Sequence, residues 1–130
     1  MADVVVTNTL LASNAFAKSG IVWTSESTGY LIFRNNGGPP ALDYVKTTDG
    51  GVTWGSKIEI EAGAIGMHSL WYDKWTSGDT GTIIHILFNE PNNQFRYISL
   101  DTSDDSISTP VDLFLLNDAV TTPQLSTGCL

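Results

Sequence analysis

Cationic side chains are scarce in this sequence. Six Lys and Arg stand against 14 Asp and Glu, for a formal net charge of −8. A field of that sign repels polyanions, and no Lys/Arg cluster offsets it, so nucleic acid is excluded as a partner class. The plainer meaning of the acidity is solubility. Cysteine is nearly absent. The single Cys129 has no intrachain disulfide partner and no second thiol with which to build a zinc site. Long apolar runs are missing too, and none approaches the roughly 18 residues of a membrane span. The start, Met1-Ala2-Asp3-Val4-Val5-Val6, lacks the basic region and apolar stretch of a signal peptide. The expectation is a soluble chain that neither inserts in a membrane nor carries its own export signal. No phosphate-binding loop or dinucleotide fingerprint appears, and no cofactor is expected.

Histidine is rare as well. His68 and His85 fall on different expected strands, without an HExxH or His-x-His spacing. Neither a metal site nor a His-based triad is expected, and both side chains are assigned to local hydrogen bonds.

What is present suits one ordinary domain. The chain has 130 residues, 42% of them hydrophobic, with four Trp, four Tyr and five Phe to build a core. Thr, Ser, Val and Ile are abundant, and Gly, Pro and Asn punctuate the chain about every ten residues. That spacing predicts an all-β chain of short strands. The clearest are Gly29–Phe33, Ala41–Lys46, Lys57–Ile60, Thr82–Phe88, Gln94–Leu100 and Val111–Leu116. Leu10–Lys18 is the most helix-like segment.

The chain also repeats. At an offset of 55, Phe33 falls on Phe88, Thr47 on Thr102, Asp49 on Asp104, and Ile58 and Ile60 on Leu113 and Leu115. Phe16 falls on Trp71, and Leu70 on Leu125. The second copy has a shorter turn at Pro91-Asn92-Asn93, and two extra residues before Thr102 restore the register. Matches in register, with turns at matching places, predict two units of four strands, about 13–61 and 67–117.

Between the third and fourth strands of the first unit stands Thr47-Thr48-Asp49-Gly50-Gly51-Val52-Thr53-Trp54. The chemistry of a tight hairpin explains its residues. A short carboxylate such as Asp49 accepts backbone N–H groups a few residues on. Gly51 supplies a positive φ. Thr53 favours extended backbone, and Trp54, starting the outer strand, can bury a large apolar surface. This segment resembles the Asp-box, or bacterial neuraminidase repeat, of the sialidase-like propellers: Ser/Thr, any, Asp, any, Gly, any, Thr, Trp. Thr47, Asp49, Gly51, Thr53 and Trp54 match all five specified positions. The second copy, Thr102 to Thr109, keeps Thr102 and Asp104 but has Ser106, Ser108 and Thr109 where Gly, Thr and Trp would stand. It is a degenerate Asp-box.

The resemblance implies a partial propeller: a single domain, 1–130, with two antiparallel four-stranded blades at about 13–61 and 67–117. Terminal strands at 3–11 and 121–129 would be shared with neighbouring blades. In that family the motif is structural and does no catalysis, so it fixes fold and leaves function open. A sialidase of the family holds its substrate carboxylate with three arginines, one in an Arg-Ile-Pro motif, and uses a Tyr/Glu nucleophile pair and an Asp acid/base. This chain has two arginines, Arg34 and Arg96, neither in that context. Both are read first as partners for surface acids. Asp73, Asp79 and Glu90 could form a glycosidase-like carboxylate pair, but among 14 acids such proximity is expected by chance. The expectation is a non-enzyme.

Two blades cannot close a ring of the roughly four to eight that propellers need. Homo-oligomerisation is therefore expected, with a trimer of six blades as the leading arrangement. The segment Ser69-Leu70-Trp71-Tyr72-Asp73-Lys74-Trp75 concentrates aromatics beside charges. Aromatic faces stacked on sugar rings, with Asp and Asn holding hydroxyls, are the usual chemistry of glycan sites. Trp71, Tyr72 and Trp75 could supply the faces, and Asp73 and Arg96 join them as candidate carbohydrate-binding residues. Core packing is the plainer role for Trp71 and Tyr72, which a strand would point to opposite faces. Trp75, in a polar loop, is the best exposed aromatic, and Trp23 is assigned to the core. The leading expectation is a non-catalytic module that binds carbohydrate or mediates adhesion; its location is left open, with the cell exterior and a virion surface as the options. A structural decoration or fibre protein of a virus particle and a fragment of a larger glycoside hydrolase are the alternatives.

Overall fold

A computed structural model of the chain describes residues 20–35, 40–63, 66–90 and 94–115. The fold is all-β: the described residues form two antiparallel sheets and contain no α-helix. The chain divides into two compact units, Met1–Ala64 and Ile65–Leu130, with one sheet in each. No helix among the described residues is long and apolar enough to cross a membrane. The helix-like segment 10–18, the terminal segments 3–11 and 121–129, Phe16, Leu125 and Cys129 lie outside the described residues.

The first sheet is a meander of β1 (Gly20–Trp23), β2 (Gly29–Asn35), β3 (Ala41–Thr47) and β4 (Ile58–Ala62) in sequential order. β2 and β3 are buried along nearly their whole length, including Tyr30, Ile32, Phe33, Leu42, Tyr44 and Val45. Apolar residues therefore run through these strands instead of alternating with polar ones. Asp43 is the exception. Its side chain is fully buried in β3, and the Lys57 ammonium stands 2.9 Å from its Oδ2. The contact is an ion pair without hydrogen-bond alignment, and it offsets the cost of burying a carboxylate. The β3–β4 register shifts beside it, between Leu42 and Asp43.

The second sheet runs β5 (His68–Tyr72), β6 (Ile83–Asn89) and β7 (Gln94–Asp101). Two strands then share one edge of β7. The two-residue β8 (Ser106–Ile107) pairs Leu100 and Asp101, and β9 (Val111–Leu115) pairs Gln94, Arg96 and Tyr97. The outer position expected to hold one strand is thus split. Pro110 lies between the two pieces and has no N–H to donate to a ladder. The core face of this sheet carries Tyr72, Ile84, Ile86, Phe88, Ile98 and Leu100.

Pairing corrects the repeat in its first strand. Trp23 faces Gly29 and Tyr72 faces Ile84, so with β2 laid on β6, Tyr72 answers to Trp23, an offset of 49. The partner of β2 is Gly20–Trp23, and the counterpart of Trp71 is Val22 rather than Phe16. The difference lies in the connection, which is longer in the second unit (73–82) than in the first (24–28).

The turn after β3 is held by one carboxylate. Asp49 Oδ1 accepts from the Thr47 hydroxyl (2.8 Å) and the Thr53 N–H (2.9 Å), and Oδ2 accepts from the Thr53 hydroxyl (2.6 Å). The Thr47 hydroxyl oxygen in turn accepts from the Gly51 N–H (3.0 Å). Gly50 and Gly51 both have positive φ, +72° and +88°, which a Cβ would penalise. The Thr53 hydroxyl, then its N–H and the Thr47 hydroxyl, stabilise the charged carboxylate and hold the Asp49 pKa down at about 2. Two expectations fail nearby. Trp54 does not start the outer strand, because β4 begins at Ile58; it packs edge-on to Trp23 at 6.5 Å. Trp23 is not in the core but 42% exposed, since Val22 takes the buried side at the end of β1.

In the second unit, Asp104 accepts from the Ser106 N–H (2.9 Å), and Asp105 takes a φ of +63°. The larger share falls to Asp101, whose Oδ1 accepts from the Ser103 N–H, the Ser103 hydroxyl and the Thr82 hydroxyl. These bonds, those from Ser103 first, lower its pKa. The Thr102 N–H and hydroxyl both donate to the Thr82 carbonyl.

Candidate binding face on the second sheet

β6 alternates cleanly. Ile84, Ile86 and Phe88 are buried, while Ile83, His85 and Leu87 are half-buried on the other face. Antiparallel register then decides their neighbours. Trp71 and Ser99 lie opposite His85 on either side, and Tyr97 lies opposite Leu87. This face of the sheet therefore carries an indole, an imidazole and a phenol around one position.

The chain leaves β5 through a single 3-10 turn, Asp73–Trp75, which swings Asp73 back over the sheet. Its Oδ1 lies 2.7 Å from His85 Nε2, and its Oδ2 accepts the Ile83 N–H at 2.9 Å. On its other side, His85 Nδ1 lies 2.6 Å from the Tyr97 hydroxyl. With a carboxylate at Nε2, that nitrogen is the donor, and a neutral ring then accepts the Tyr97 hydroxyl proton at Nδ1. The result is a continuous chain from Asp73 through His85 to Tyr97, with the imidazole about one-third exposed.

The same turn presents Trp75, which is 47% exposed. Its ring stands edge-on to Trp71, at 5.6 Å and 86°, and to Tyr72, at 6.5 Å and 89°. Two fixed neighbours hold the indole in one orientation, which lowers the entropy cost of using it as a platform.

The expected site residues are thereby sorted. Trp71, Asp73 and Trp75 come together. Tyr72 is only 2% exposed, on the core face, and its hydroxyl is buried without a hydrogen-bond partner, so it supports Trp75 and offers no stacking face. Arg96 lies opposite Phe88, in the other row of side chains. Its Nη1 and Nε donate to Glu90 and Asp112, each at 2.8 Å. Asp79 is spent on a turn, accepting the Gly81 N–H.

His85 and Tyr97 were missed from sequence because no local motif joins them to Asp73. The available signal is spacing: Asp73 and Tyr97 each lie twelve residues from His85, one across each hairpin. Among the described residues no three His, Cys, Asp or Glu side chains gather as a metal site.

Comparison of the chain with protein-family models, with curated proteins and with solved structures finds no match.

Proposed function

We propose that this chain is a non-catalytic, sialidase-like β-propeller module that binds carbohydrate or mediates adhesion, with several copies assembling one ring. The observation that carries the binding half is Trp75, an exposed indole held edge-on by Trp71 and set beside the Asp73–His85–Tyr97 chain. An aromatic face takes the apolar C–H side of a sugar, while fixed carboxylate, imidazole and phenol groups suit its hydroxyls. Two successive antiparallel meanders, each followed after its third strand by a carboxylate-closed turn, support the blade reading. Both sheets are open, and open edges invite completion by another chain.

Glycan-array binding tests the first half. Wild type binds a glycan and Trp75→Ala loses at least about tenfold in affinity, the effect of an aromatic platform worth more than ~1.4 kcal/mol. Unchanged binding in that variant removes this site from the function. Solution mass tests the second half, since a folded monomer of 14.0 kDa contradicts ring assembly. The open edges equally favour a second reading, a structural subunit of a virus particle, for which a stable oligomer without glycan affinity would speak.

A further inference from the structure

The first sheet carries an aromatic recess of its own. Trp23, Thr24, Ser25, Glu26 and Gly50 line an open recess of about 560 Å³. Trp23 ends β1 opposite Gly29, and a Cβ there would stand 2.8 Å from its six-membered ring. The indole thus lies against bare backbone on one side and is braced by the edge of Trp54, yet it remains 42% exposed.

The rest of the wall is equally fixed. The Thr28 carbonyl accepts from the Thr24 N–H at 2.9 Å and the Ser25 N–H at 3.3 Å. The Ser25 hydroxyl oxygen accepts from the Thr28 N–H at 2.9 Å, and the Ser27 carbonyl accepts the Gly50 N–H at 2.8 Å. The last bond ties this turn to the one closed by Asp49. The charged group on this wall is the Glu26 carboxylate, which is exposed. Among the described residues no cationic side chain lines the recess.

An indole face beside an unopposed carboxylate, on a chain of net charge −8, is complementary to an organic cation. Anionic sugars are repelled by the same field.

We propose that the Trp23 recess is a second saccharide position, selective for a sugar bearing a protonated amine; the sugar half of this assignment rests on the carbohydrate reading above. The ammonium lies between the Trp23 face and Glu26, and the pyranose ring covers the remaining indole surface. The chain is then bivalent, with one aromatic position in each sheet.

The test titrates the intact chain with the deacetylated disaccharide of glucosamine and with its N-acetylated counterpart, following the four tryptophan indole N–H signals. The deacetylated sugar shifts the Trp23 signal and binds about tenfold more tightly than the acetylated one. Glu26→Gln, an exposed change that leaves the fold intact, erases that preference, and Trp75→Ala leaves it untouched. The proposal is overturned if the two sugars bind alike, if Glu26→Gln changes nothing, or if the Trp23 signal stays silent. A glycan that shifts only Trp71 and Trp75 sinks this inference and leaves the proposed function standing. A Trp23 response to the amino sugar without any glycan at Trp75 upholds this inference and removes the Trp75 site from the proposed function.

Discussion

The two turns that follow β3 and β7 solve one problem with different residues. In the first, a single carboxylate, Asp49, gathers the donors, and two glycines take the left-handed backbone. In the second, the work is divided between Asp101 and Asp104, and the left-handed position falls to Asp105. The difference follows from chain length. Thr47 faces Gly29 and Leu100 faces Ile84, so two residues are inserted between the end of β7 and Asp104. A longer turn needs a second carboxylate, whereas the shorter one can be closed by Asp49 alone. Glycine is obligatory only where the turn is tight, since Asp tolerates left-handed backbone better than most residues.

The sharpest way to break this comparison is to give the first turn a β-branched residue. Gly51→Val places a Cβ at φ +88° and beside the Trp23 and Trp54 rings, 3.6 and 3.8 Å away. A loss of about 2 kcal/mol in chemical denaturation is expected. Ser106→Val, at the matching position of the second turn, costs well under half as much, because Ser106 is exposed and is absent from the positive-φ residues. Equal losses would show that the two turns do not differ in backbone demand.

A smaller change should sharpen the contrast. Asp105→Gly relieves left-handed strain in the folded state but adds freedom to the unfolded chain. The net expectation is a gain of about 0.5 kcal/mol, read as an upward shift of the denaturation midpoint at constant m-value. A clear loss would mean that the interaction Asp105 makes matters more than its backbone strain.

The strands were legible because their punctuation is. Six of the nine strands among the described residues begin within a residue of the positions expected from alternation and turn residues: those starting at Gly29, Ala41, Ile58, Ile83, Gln94 and Val111. What escaped was decided across the sheet. Trp23 and Trp54 find each other from opposite ends of the first unit, so neither the exposure of one nor the displacement of the other from β4 is written nearby. His85 is an ordinary polar interruption in a strand until the register of two hairpins sets Asp73 and Tyr97 on either side of it. The short 3-10 turn that aims Asp73 carries no sequence mark beyond its polar residues. The parting of Trp71 and Tyr72 to opposite faces, by contrast, was legible, because a strand alternates its neighbours.

The smallest expected effect lies in acid, where the two turns should behave alike in sign. Asp49 has its pKa lowered from 3.8 to about 2 by Thr53 and Thr47, and Asp101 is lowered by Ser103 and Thr82. A carboxyl that is more acidic in the folded state stabilises the fold once ionised. Its contribution is full above about pH 3.8, the unfolded value, and disappears as pH falls through the folded one. The stability gap between wild type and Asp49→Asn should therefore be constant near neutrality, shrink below pH 3.8, and close near pH 2. Asp101→Asn should show a gap of the same sign that also narrows in acid. Both carboxyls face water, so both gaps should be modest and fall with added salt. Denaturation curves collected across the acid range read this directly. A gap that stays constant down to pH 2 would mean that Asp49 closes its turn as well protonated as ionised, and that charge is not what distinguishes it from an amide.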